Sequence, residues 1–148
     1  MKRHPEIVVE RLLKEPMWVI DLLPWQVPED SRGQYFAVEK YYREEPQLER
    51  LGSQFADMLL KLNCYHDLLV NHGGDEWIPN PKPELLVQWI TESRQRGHFH
   101  AIIDDGDGLI TGFGGDTYMS LSGPTDEILE LVTQLAAASG LFMWKTAV

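Results

Sequence analysis

The chain has 148 residues, 43% of them hydrophobic, five tryptophans and a net charge of −10. This composition fits a packed chain that buries roughly two-thirds of its unfolded surface, and it excludes intrinsic disorder. So large an acidic excess repels phosphate backbones and anionic lipid surfaces, so neither nucleic acid nor membrane is an expected partner.

No apolar run reaches the ~18 residues that a membrane span requires. The opening MKRHPEIVVERLL starts basic, but Glu6, Glu10 and Arg11 interrupt any apolar stretch, so a signal peptide is not expected. Cys64 is the one cysteine; with no internal disulfide to form, the expected compartment is the reducing cytoplasm.

In chain order, residues 5–15 open with Pro5 and stop before Pro16, which predicts a helix. MWVIDLL (17–23) is apolar and β-branched and ends at Pro24, as a strand would. Residues 24–33 read as a loop anchored to the core by Trp25. QYFAVEKYY (34–42) has the aromatic and β-branched content of a strand, with a helix as the alternative. After Pro46, Leu48, Leu51, Phe55, Met58, Leu59 and Leu62 recur at three- and four-residue spacings and share one helical face. Residues 64–71 are expected to be a strand, 71–77 a turn, and 78–83 too proline-rich for either element. Pro83 begins a further helix with Leu85, Leu86, Trp89 and Ile90 inward and Gly97 just past its end.

The last third is predicted as hairpin, strand, helix and strand. Residues 98–103 and 109–113 flank Asp104-Asp105-Gly106-Asp107-Gly108, whose Asp-Gly pairs supply the positive φ angles of a tight turn. Gly114-Gly115-Asp116 turns the chain into 117–122. Pro124 is placed at N1 of a helix with Asp126 and Glu127 in its first turn, and Ile128, Leu131, Val132 and Leu135 form its inward stripe. Gly140 ends it, and LFMW (141–144) reads as a well-covered strand. With no repeat or long linker, the expectation is a single α+β domain over 1–148: a mainly antiparallel sheet with three to four helices packed largely on one face.

Four short motifs carry chemistry in other contexts. Asp105-Gly-Asp107-Gly108 matches the middle of a calcium loop, but Ile103 and Gly114 occupy the positions that need a carboxylate and a bidentate glutamate. GLITGFGG (108–115) has neither the lysine of a phosphate loop nor the third glycine of a dinucleotide fingerprint. Cys64 and His66 stand two apart, but a helix C-terminus disfavours a thiolate, so Cys64 is read as a small buried hydrophobe. His98-Phe-His100 puts two imidazoles on one strand face, where a third ligand from Asp104, Asp105, Asp116, His66 or His72 would complete a metal site.

Charge is uneven. Residues 75–148 carry −7 against −3 for residues 1–74, and the 48 residues from Gly97 to Trp144 hold seven acids with no Lys or Arg. The leading expectation is a non-catalytic, inhibitor-like or immunity-like binding module without cofactor, presenting an acidic face to a basic protein. Asp104, Asp105, Asp107, Asp116 and the loop aromatic Trp77 are its expected contacts. The alternative is a metal-dependent hydrolase or metal-binding regulatory domain on His98 and His100. A third reading is a small-ligand pocket lined by aromatics, for which the sequence shows no polar specificity determinant, and a homodimer through residues 34–42 fits all three.

Overall fold

The computed structural model describes residues 4–95, 97–114 and 116–146. Gly115 and the basic residues Lys2 and Arg3 lie outside that set. Among the described residues, five helices accompany one seven-stranded sheet: α1 (Pro5–Leu13), β1 (Met17–Asp21), α2 (Arg32–Arg43), α3 (Gln47–Leu62), β2 (Leu68–Asn71), β3 (Ile78–Pro79), α4 (Pro83–Gln95), β4 (His98–Ile103), β5 (Gly108–Phe113), β6 (Met119–Ser122), α5 (Asp126–Ala138) and β7 (Phe142–Lys145). The strand order is β3-β2-β4-β5-β6-β1-β7, and every ladder is antiparallel. The α+β class holds, with five helices where three to four are expected.

Strand side chains alternate between faces, and here the two faces meet different layers. Phe99, Ala101 and Ile103 of β4, Ile110 of β5, Met119 and Leu121 of β6 and Ile20 of β1 join a core built with the apolar stripes of α3, α4 and α5. The opposite face of the central strands offers Ile102 and Leu109, which pack on Val8 and Leu12 of α1. The helices therefore lie on both faces, with α1 alone on the second side of β4 and β5.

The predicted hairpin turn forms as expected, with Asp104 at φ 51° and Gly106 at φ 121°. The φ of 121° favours glycine at Gly106, and the Arg11 guanidinium of α1 donates to the Gly106 carbonyl at 3.2 Å, tying α1 to the turn. Thr125 caps α5 by accepting from the Ile128 N–H at 3.3 Å. Pro124 consequently precedes the cap instead of standing at N1.

Several expectations are corrected. Residues 34–42 lie in α2, where Tyr35 donates to Glu39 Oε2 at 3.0 Å and Arg43 pairs with Glu39 at 3.4 Å. Its half-buried residues Tyr35, Glu39 and Tyr42 follow helical spacing, not alternation. The 64–71 strand shortens to Leu68–Asn71, because the chain after α3 turns before it extends. Cys64 sits in that turn and is exposed, not buried. Leu85 is 39% exposed and belongs to the outer side of α4; Trp25 is 69% exposed and is not packed into either core cluster. Pro79 pairs with Leu69 in the two-residue β3 at a sheet edge, where a missing N–H costs little. β7 is the opposite edge strand, not a well-covered one, because β1 is its one sheet neighbour.

Phe99 is completely buried at the centre of the larger core. Phe99→Ala is expected to cost about 3–5 kcal/mol, read as a lower urea midpoint at unchanged denaturant slope.

Candidate functional site

The expected acidic contacts fall at two ends of the sheet. Asp104, Asp105 and Asp107 gather at the β4–β5 turn, while Asp116 follows the far end of β5, roughly 17–20 Å away at the rise of a six-residue strand. Asp104 is committed to the fold: its carboxylate meets His66 Nδ1 at 2.7 Å and accepts the Asp67 N–H at 3.0 Å. Asp105 and Asp107 are exposed. Desolvation, then the charge of Asp104, holds the Asp107 carboxyl above its usual range. Trp77 donates its indole N–H to Glu6 Oε1 at 3.1 Å, a bond that holds the Glu6 carboxyl below its usual range and ties the loop to α1.

His98 and His100 do share a face, with ring centroids 5.1 Å apart, beside Phe113 and Trp77. Burial, then the charge of His98, pushes His100 down to about 4. The other named ligands are engaged elsewhere: His66 with Asp104, and His72 stacked on Trp89 at 4.2 Å. Among the described residues no group of three or more His, Cys, Asp or Glu is placed to hold a metal ion.

What the fold assembles, and the linear sequence conceals, is a row across six strands. Register places Asn71 opposite His100, His100 opposite Thr111, Thr111 opposite Ser120, Ser120 opposite Val19 and Val19 opposite Trp144. This row runs along the second face of the sheet, beyond the part that α1 covers. At its β1–β6–β7 end it opens into a cavity of about 380 Å³, walled by Met17, Val19, Tyr35, Tyr118, Ser120 and Trp144 and bordered by Asp21, Phe36 and the 26–27 loop. That volume is at the small end of ligand-sized cavities. Phe36, Tyr118 and, on the adjoining edge, Phe142 are exposed around it.

The cavity is acidic. Asp21 ends β1 and accepts the Leu22 N–H at 2.7 Å. Its carboxyl is raised by burial, against the opposing pull of the Leu22 and Leu23 N–H groups and the Trp144 indole. Trp144 Nε1 is itself buried and faces that carboxyl, yet it closes no full hydrogen bond with any described residue. Tyr35 is pushed up to about 12, first by burial and then by its hydrogen bond to Glu39, so it remains a neutral donor. Burial and the charges of Asp116, Asp21 and Glu39 raise Tyr118, with Arg43 opposing them. Among the described side chains, three carboxylates and one guanidinium thus act on this cavity. The signal available in sequence was slight: Asp21 ends an otherwise apolar strand, and Tyr35, Glu39 and Arg43 are four apart only if the segment is helical.

The His100 environment sets a pH response. Its folded pKa of about 4 lies below the ordinary 6.5, so as pH falls from 6.5 towards 4 the unfolded chain takes the proton first and the fold loses stability. His100→Gln removes this component. Its melting temperature should fall less than that of the parent chain between about pH 7 and pH 4; parallel curves would contradict the assignment.

Comparison with known protein families, curated proteins and solved structures finds no match for this chain, so its function is read from its own geometry.

Proposed function

We propose that this chain is a non-catalytic binding module that engages a basic protein through the open part of the second sheet face. The observation that carries the reading is the union, on one face, of an aromatic-walled cavity with Asp21, Glu39 and Asp116. Aromatic anchors over a desolvated centre are the usual composition of a protein-binding hot spot. Phe36, Tyr118 and Phe142 expose such area here at little conformational cost. The sign of the face selects a cationic partner, and the net charge of −10 steers it. Asp105 and Asp107, exposed at the distant hairpin tip, add to the long-range field instead of making central contacts.

Two features speak against catalysis as the better reading. Asp104 and His66 form a carboxylate–imidazole pair, but they sit at the hairpin end, away from the cavity. Within the cavity, Tyr35 is spent on Glu39 and stays protonated.

Selection of a random peptide library on the immobilised chain tests the proposal. Enriched peptides are expected to be basic, and their affinity should fall about tenfold or more as salt rises from roughly 50 to 500 mM. Glu39→Gln combined with Asp116→Asn should weaken the same peptides by a similar factor. Enrichment without basic residues, or salt-independent binding, would overturn it.

A further inference from the structure

We infer that the cavity between β1, β6, β7 and α2 receives one arginine side chain of the basic partner, its guanidinium against Asp21 and among the rings of Tyr35, Tyr118 and Trp144. The inference rests on the binding reading above and names the chemistry of that same face.

The charges decide the sign of the guest. Asp21, Glu39 and Asp116 act on the cavity from β1, α2 and the segment before β6, and Arg43 answers only in part because it is paired with Glu39. An anionic guest would meet the Asp21 carboxylate in the lining, with Glu39 and Asp116 adding their negative field from behind. A neutral one would leave Asp21 half-buried with N–H donors but no counter-charge, and desolvation of the carboxylate costs free energy that a cation returns.

The walls decide between the two cationic side chains. A guanidinium is planar, weakly hydrated and stacks on aromatic faces, so it gives up little on entering a half-buried site. A lysine ammonium is compact and strongly hydrated and gains less from flat rings. One Asp21 oxygen already accepts from Leu22, and the carboxylate still offers the acceptor positions that a forked donor uses. Ser120 Oγ on the floor is a further acceptor. The cavity, about 380 Å³, suits one side chain better than a cofactor.

Titration of the full chain with blocked arginine (N-acetyl-arginine N-methylamide), followed by the NMR signal of the Trp144 indole N–H, tests this directly. Blocked arginine should shift the signal saturably. Blocked lysine should bind about tenfold more weakly, and blocked citrulline, the neutral isostere, should give no saturable shift. Asp21→Asn should abolish the shift yet keep or raise the melting temperature near pH 7, because the folded carboxyl titrates high and its charge opposes folding there. Ser120→Leu, which fills the floor, should give the same loss by a second route.

A citrulline shift equal to that of arginine, or arginine binding that survives both variants, overturns the assignment. Free arginine binding about tenfold tighter than the blocked residue would also overturn it, in favour of a metabolite. Basic peptides that still bind Asp21→Asn with full salt dependence would remove the arginine pocket and leave the docking face standing. Blocked-arginine binding without any salt-dependent peptide association would do the reverse.

Discussion

The structure depends on the alternation of side chains along β5, the middle strand of the sheet, and its neighbour β4. Phe99, Ala101, Ile103 and Ile110 point to the α3–α4–α5 layer, while His98, His100, Ile102, Leu109, Thr111 and Phe113 point the other way. A slip of one residue would exchange these sets and put two imidazoles in the core. The turn at Asp104–Asp107 pins that register through positive φ at Asp104 and Gly106 and the backbone bonds of Gly106 and Asp107 to Ile103. Everything else follows from where the two faces find cover.

One face is sealed by three helices with long apolar stripes; the other is covered at the hairpin end by the nine residues of α1 and bordered at the β1–β7 end by Tyr35 and Phe36 of α2. Val8 and Leu12 cover Ile102 and Leu109 at the hairpin end, and the rest of that face is left to side chains that tolerate partial solvation. Histidine, threonine, serine and tyrosine serve this role, because each combines packable surface with a polar tip. The cavity is where this arrangement is least economical for folding. A half-buried Asp21 and an unpartnered Trp144 N–H cost stability, and exposed Phe36 and Phe142 leave apolar area in water. Departures from the best folding solution of this kind concentrate where surfaces bind something.

Much of the local structure was legible from periodicity and turn chemistry. The stripe from Leu48 to Leu62, the Asp-Gly hairpin and the alternation of His98 and His100 depend on interactions within a few residues, which spacing reports. Residues 34–42 are ambiguous in sequence because tyrosine, phenylalanine and valine suit either element; the Tyr35–Glu39–Arg43 ladder decides for a helix, and its side chains meet only after the helix exists. The edge position of β7 is not legible, because an apolar tetrapeptide carries no record of how many neighbours it will have. The bond of Asp104 to His66, 38 residues away, leaves no local trace in the sequence.

By itself the sequence determined the acidic charge, the α+β class, the main helical stripes and the hairpin register, all of which follow from composition or from neighbours along the chain. Tertiary structure alone decided that Val19, Ser120 and Trp144 would become adjacent, that Asp21 would meet the aromatic rings of α2 and β7, and that Asp116 would part from the other aspartates. The physical reason is that sheet order joins strands far apart in sequence. No period or motif records that β1 inserts between β6 and β7, and the cavity exists only through that insertion.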